Sequence, residues 1–320
     1  MNMISLCRVL VLGFFVTFAA MPANAFEPNK DVEVVVPSSA GGGSDLNART
    51  IVDIIKSENF SPVNYIVNNK PGGAGAVALS YANTKAGDPN LLITIAIGQV
   101  IGSFALGWEI DASKMTPISI VADDDLFLCA VAGRFKDAAD LLAQAKAGRL
   151  TFGGTHKANS DHLGFLLANK FAGTQFQYVS HGGSGEVLSS LLGKHIDVGI
   201  FNPSECLGQV QAGKVVPMLS FAAKRMDSDL FRNAPTFVEM GHPDVVTSES
   251  RVVLGPPNMP KDAVDYYVDL LRKVTDTPRW KNDYITRNNL VSVFMDAEET
   301  QKHLDVIVQK RVPVFKDAGL

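Results

Sequence analysis

The residues best suited to chemistry sit in glycine-rich turns that follow apolar runs. Val34–Val36 ends at Pro37, and Ser38-Ser39-Ala40-Gly41-Gly42-Gly43-Ser44-Asp45 follows. Glycines let the backbone bend there, and Ser44 or Asp45 is placed to cap the next helix. Free N–H groups at a helix start, with hydroxyls beside them, form a site for an anion. The alternative is a turn that only redirects the chain. No Gly-Lys-Ser/Thr follows the glycines, so this is not a nucleotide-phosphate loop. Asp45 would repel a carboxylate set beside it. It reads as a cap that orients the turn, or as a partner for a ligand ammonium or hydroxyl.

Two further turns repeat the pattern. Gly153-Gly154-Thr155-His156-Lys157-Ala158-Asn159-Ser160-Asp161-His162 joins a strand to a helix, with Asn159 or Ser160 as the cap. Ser180-His181-Gly182-Gly183-Ser184-Gly185-Glu186 does the same after Tyr178-Val179. Three such turns meeting at one cleft would surround a small anion with backbone donors and neutral hydroxyls. Gly73, Gly75 and Ala78 formally fit the dinucleotide pattern, but a turn into a closely packed helix explains them better. Lys70 beside them reads as solvated or salt-bridged. The spacing of His156, His162, His181 and His195 fits no zinc motif, and no metal site is expected. Ser160-Asp161-His162 holds triad residue types, but neighbours in sequence do not face one another, and no nucleophile elbow is present. No catalytic residue and no cofactor is expected.

These turns need a scaffold. Strands are expected at 32–36, 65–67, 91–96, 118–121, 126–131, 150–152, 177–179, 198–201, 217–221 and 251–254. Helices are expected at 46–55, 75–83, 138–147, 161–171, 185–192, 261–275 and 297–310. This βαβ alternation predicts an α/β fold with doubly wound sheets, too many units for one compact sheet. We divide them into a first domain of residues 26–122 plus 246–320 and an inserted second domain of residues 123–245. A cleft between two such sheets, at the carboxyl ends of their strands, is where α/β proteins hold ligands.

The chain ends bound the setting. Arg8 precedes the apolar run Val9–Ala20, and Ala23-Asn24-Ala25 supplies a signal-peptidase site. Residues 1–25 therefore read as a signal peptide cleaved after Ala25, and the product as a soluble exported protein. The formal charge is −4 with no basic block, which argues against nucleic acid as a partner. Cys129 and Cys206 remain after cleavage. They can pair in an oxidising compartment, although each sits among apolar residues, the usual setting of a buried free thiol.

The ordered set VVVPSSAGGGSDLNAR (34–49), VNNKPGGAGAVA (67–78), HLGFLLANKFAG (162–173), QYVSHGGSGEVLSSLLGKHIDVGI (177–200), QAGKVVPMLSFAAKR (211–225), APTFVEMGHP (234–243) and RVVLGPPNMPKDAV (251–264) carries a family resemblance. The chain resembles the periplasmic solute-binding component of tripartite tricarboxylate transporters, the Bug or TctC-like family, over nearly all the sequence after residue 25. The resemblance implies a two-domain Venus flytrap without catalysis, monomeric and periplasmic. It would deliver a small organic acid to membrane permease subunits. A ligand-sensing subunit for a membrane receptor and an exported hydrolase are the competing readings. Carried over by position, the family's grip on a carboxylate points to Ser38, Ser39, Gly42, Gly43 and Asp45. In the second domain it points to Thr155, Ser160, His181, Gly182, Gly183, Ser184 and Asn202. Departures occur: Asp88-Pro89-Asn90-Leu91-Leu92 replaces the usual Pro-Asp-Gly-Tyr-Thr-Leu, and Ser180-His181 stands where many relatives carry tyrosine or arginine. No arginine lies in the turns, which favours a mono- or dicarboxylate over a citrate-like trianion.

Overall fold

A computed structural model describes residues 26–320. The expected signal peptide, residues 1–25, lies outside the described residues. The strands are β1 (Val32–Val36), β2 (Tyr65–Asn69), β3 (Leu91–Ala96), β4 (Thr116–Asp123), β5 (Phe127–Val131), β6 (Thr151–Thr155), β7 (Gln177–His181), β8 (Val198–Phe201), β9 (Val215–Ser220), β10 (Arg251–Gly255) and β11 (Val291–Met295). The α-helices are α1 (Gly43–Ser57), α2 (Ala76–Asn83), α3 (Ile97–Ala105), α4 (Ala138–Ala147), α5 (Ser160–Ala172), α6 (Ser184–Leu192), α7 (Pro203–Gln211), α8 (Lys261–Asp276) and α9 (Ala297–Asp317).

The strands form two sheets. One has six strands in the order β11-β4-β10-β3-β1-β2, the other five in the order β7-β6-β8-β5-β9. β1 runs parallel to β2 and β3, whereas β10 runs antiparallel to both of its neighbours. In the second sheet β6 is parallel to β7 and β8, and β5 is antiparallel to β8 and β9. Both sheets are therefore mixed, each taking antiparallel strands where the chain crosses between them.

β1 is apolar apart from the half-buried Glu33 because both its faces are covered. Val32, Val34 and Val36 pack with Ile51, Ile54 and Ile55 of α1, and Val35 faces the opposite core with Ala78, Leu79 and Ile101. Each such fully buried aliphatic side chain contributes roughly 1.5–3 kcal/mol of transfer free energy.

Two segments cross between the sheets. Asp124-Asp125 leads from β4 to β5, and the chain returns through residues 222–250 to β10. The crossings touch: Asp125 bridges to Ser248, and Glu249 N–H donates to the Asp124 carbonyl at 2.9 Å.

Three elements escape the sequence pattern. α3 follows β3 without a polar break, so the apolar residues of both read as one run, and Gly98 and Gly102 mask its helical character. Both glycines are explained by close approach. A Cβ on Gly102 would lie 2.4 Å from the Ala158 carbonyl oxygen, and one on Gly98 2.6 Å from Ser160 Oγ. α3 thus packs directly on the turn before α5. α7 is short and starts at a proline, as helices often do. β11 is exposed or half-buried along its length and lacks the apolar signature of an inner strand. α9 runs on past Lys310 through Pro313, held by the buried Val312, Val314 and Phe315. Its Asp317 reaches Lys170 of α5 at 2.6 Å. Cys129 and Cys206 are free thiols, buried in one cluster with Phe127, Phe201 and Phe231.

Candidate functional site

A cavity of about 460 Å³ lies where the crossings meet the turns. From the six-stranded sheet it takes Gly41, Gly42, Gly43 and Leu46, together with Arg251. From the five-stranded side it takes Thr155, Asn159, Asp161, Ser184, Asn202, Ser204 and Glu205, and the crossings add Asp124 and Glu249. Both sheets thus contribute to one site.

The first turn is an open set of donors. α1 begins at Gly43 with Gly42 as N-cap, and no side chain caps it. The N–H groups of Gly43, Ser44 and Asp45 have no acceptor within the helix. Asp45 shapes the turn from behind. It is 3% exposed and accepts hydrogen bonds from Gly41 N–H (2.8 Å), Arg49 Nε (2.9 Å) and Asn69 Nδ2 (2.9 Å). Burial works against its charge, but the donors from Arg49, Gly41 and Asn69 prevail and hold its carboxyl below the usual range. Asp45 is accordingly an orienting staple that does not line the cavity. Gly41 adopts φ +87°, a conformation that suits glycine.

The floor below this turn holds a cation that the turns themselves lack. Arg251, at the start of β10, is 7% exposed and pairs with the carboxylate of Asp124. Gly43 is required by its approach, since a Cβ there would meet Arg251 Nη2 at 2.7 Å. Burial presses Asp124 up to about 6, with Arg251 opposing; burial works against the charge of Arg251, but Asp124, Tyr284 and Glu249 prevail and hold it above its already high range. Asp124 Oδ1 and Arg251 Nε find no hydrogen-bond partner among the described residues.

In each second-sheet turn one N–H is engaged by the turn's own acid, while α6, like α1, starts at a glycine N-cap that no side chain caps. Thr155 donates its N–H (2.8 Å) and its hydroxyl (2.7 Å) to Asp161. Gly182 N–H donates to Glu186 at 2.9 Å, and Asn202 N–H to Glu205 at 2.9 Å. α5 is capped by Asn159, whose side chain accepts from His162 N–H at 3.0 Å. Asn202 spends its amide on the crossing, donating to the carbonyls of Asp124 (3.3 Å) and Asp125 (3.1 Å).

Of the residues carried over by family position, Gly42, Gly43, Thr155, Ser184 and Asn202 line the cavity. Ser160 stands just behind the wall, 2% exposed, with its hydroxyl unpartnered among the described residues. Ser38, Ser39, Asp45, His181, Gly182 and Gly183 are outside the lining. The ring of His181 is taken up internally, with Nδ1 at 3.0 Å from the Val179 carbonyl and Nε2 at 2.9 Å from Ser190 Oγ. His162 is buried against Phe165, Tyr178 and Phe315, and burial drives it down to about 4, so it stays neutral. Lys70 is half-buried, has no ion pair among the described residues and lies 3.9 Å from the ring centre of Tyr81, a cation–π contact. Sequence reasoning missed Asp124, Asp161, Glu205, Glu249 and Arg251 as lining residues. Arg251 and Asp124 lie 127 positions apart, and only the fold brings them together.

Two mixed α/β sheets flanking a polar cleft are the architecture of a solute-binding receptor. The model of the tripartite tricarboxylate transporter family receptor matches residues 48–320. The chain belongs to that family. Among curated relatives, the protein BugT of Bordetella pertussis is 27% identical over 269 residues, covering 80% of each chain. Solved structures share the fold. A Rhodopseudomonas palustris protein with adipate matches at a TM-score of 0.76 and 23% identity, over 91% of this chain and 98% of that one. MatC from the same organism, with bound malate, matches at 0.72 and 20% identity, over 91% and 99%.

Proposed function

We propose that this chain is an exported, periplasmic receptor that captures a small organic carboxylate and delivers it to the permease subunits of a tripartite transporter. The observation that carries this reading is the cavity itself. It is shared between both sheets, with uncapped N–H groups and a buried arginine on one wall. Helix-start donors and a guanidinium are the groups that hold carboxylates. The relatives solved with malate and adipate support the ligand class.

In this proposal residues 26–122 plus 246–320 and residues 123–245 are two domains of a monomeric clamp. They close by a hinge at the touching crossings, where Asn202 ties α7 to Asp124 and Asp125. The carboxylate sits against Gly42 and Gly43, with Thr155, Ser184 and Asn202 on the facing wall. Ser38, Ser39, Asp45, Ser160, His181, Gly182 and Gly183 act behind these, by shaping the turns. The protein binds without turning its ligand over, a reading supported by its membership of a receptor family.

A thermal-shift screen of mono-, di- and tricarboxylates tests this directly, because a ligand that binds only the folded state must raise its stability. At least one small acid should raise the transition temperature in proportion to the logarithm of its concentration. If none does, the capture reading fails.

A further inference from the structure

The charge on the cavity wall is the reverse of what a plain carboxylate would choose. Four acids, Asp124, Asp161, Glu205 and Glu249, line it against one arginine, and that arginine is paired with Asp124. Like charges brought together in a partly dehydrated site repel strongly. The acids are not all absorbed by structural bonds. Asp161 and Glu205 each offer one oxygen to backbone N–H groups of their own turns. Glu249 lies beside Ser160 and Gly98. Asp124 Oδ1 is an acceptor on the lining without a donor among the described residues, on a residue 1% exposed. Arg251 Nε, in the same ion pair, is a donor without an acceptor among them. The cavity therefore offers N–H donors and a guanidinium at the first turn, with Asp124 and Glu249 beside the guanidinium and Asp161 and Glu205 contributed from the five-stranded side.

We propose that the ligand is zwitterionic: its carboxylate lies against Gly42, Gly43 and Arg251, and a protonated nitrogen is received by Asp124 Oδ1 among Glu249, Glu205 and Asp161. This deepens the carboxylate-capture reading and rests on it. The ligand class is amino acids, with the spacing between ammonium and carboxylate left to the screen. Asp45 has no part in holding the ammonium, because its oxygens are committed to Gly41, Arg49 and Asn69.

Proton linkage gives the inference a signature of its own. Glu249 is pushed up to about 7 by burial, with Arg251 and Ser160 opposing and Asp161 and Asp124 adding to the rise. Glu205 is exposed to solvent, so the linkage is carried by Glu249. An ammonium placed beside Glu249 drives its proton off, and the ligand's affinity rises from pH 6 to pH 8. A plain carboxylate draws protons in, and its affinity falls over the same range.

The test is calorimetric titration of matched sets: L-aspartate, L-malate and succinate; 4-aminobutyrate, 4-hydroxybutyrate and butyrate; and L-lysine with hexanoate. The account expects an amino acid to bind roughly tenfold to a hundredfold tighter than its deaminated partner, the worth of one charge-assisted hydrogen bond. It also expects proton release on binding, seen as a heat that depends on buffer ionisation. Glu249→Gln and Glu205→Gln should each erase most of that preference. Should either variant misfold, the difference in proton exchange between an amino acid and its deaminated partner on the native protein decides: more release by the amino acid supports the zwitterion, and equal exchange overturns it. Plain or hydroxy acids binding as tightly as their amino partners, with proton uptake, overturn the zwitterion and leave carboxylate capture standing. If no member of any set binds, and no acid in the thermal screen does, both readings fail.

Discussion

The first glycine turn and the second-sheet turns look alike in sequence and behave differently in the fold. Each couples a strand end to a helix start through small, hydroxylated residues. At Pro37–Asp45 the acid of the motif lies behind the turn, stapled by Arg49 and Asn69, and the helix start is left uncapped. At Thr155–Asp161, Gly182–Glu186 and Asn202–Glu205 the acid takes one N–H of its turn, as Asp45 takes that of Gly41, but Asp161 and Glu205 stand on the cavity lining where Asp45 does not. A helix start is an anion site only while its donors are free. What separates the two regions is a third party: Arg49 pairs with Asp45 behind the first turn and leaves that part of the lining free of its acid, whereas Asp161 and Glu205 line the cavity with no ion pair among the described residues.

The comparison can be broken first at Arg251. Replacing it with methionine leaves Asp124 buried and without its counter-ion, and the loss of one partner of a buried pair costs about 3–5 kcal/mol. Chemical denaturation should show that loss; a change below about 1 kcal/mol would mean that the pair is dispensable.

The acid-rich crossing is tested by pH. Asp125 is raised to about 7 by burial, then by Asp123 and Asp124, well above its unfolded value. A carboxyl raised by folding holds its proton longer in the native state, so its contribution to stability is full at low pH and is lost as pH rises through about 7. Wild type should lose stability relative to Asp125→Asn, on the order of 2 kcal/mol between pH 4.5 and 6.5. Taking the difference removes the opposing trend of His162, which is neutral in the fold down to about pH 4. Parallel stability curves for the two proteins would contradict the assignment.

Gly43→Ala sharpens the contrast at the open turn. The helix start tolerates alanine, but the new methyl would meet Arg251 Nη2 at 2.7 Å. Affinity for the acid found by thermal screening should fall roughly tenfold, with a stability loss of about 1–3 kcal/mol as the buried Arg251 gives way. The smallest effect is expected at His181. Its ring bonds to Val179 and Ser190, so His181→Ala should cost about 1 kcal/mol of stability and leave affinity within about twofold. A tenfold loss of affinity would instead put His181 on the ligand.

Much of this was legible in the sequence because it is local. β1, its closing proline and the glycines before α1 are contiguous, and so are the turns at 153–162 and 180–186. The antiparallel strand β10 and the missed helix α3 were harder for different reasons. α3 continues an apolar run, and its glycines answer to Ala158 and Ser160, which are distant in sequence. Arg251 stood in a strand pattern, where it read as an ordinary strand-start residue. Its meaning depends on Asp124, which reaches it only through the crossing. The same holds for the acids. Asp161 read as a helix-start residue and Glu205 lay in the unexpected α7, and only the meeting of two sheets at one cleft gathers them on a single lining.

The central claim is that the first turn, not the second-sheet turns, holds the ligand carboxylate. A crystal structure with the tightest acid from the screen tests this most directly. The account predicts carboxylate oxygens within hydrogen-bond distance of the Gly43 and Ser44 N–H groups and beside Arg251. A carboxylate seated instead on Gly182–Ser184, or with Asp45 turned inward to meet the ligand, would contradict it.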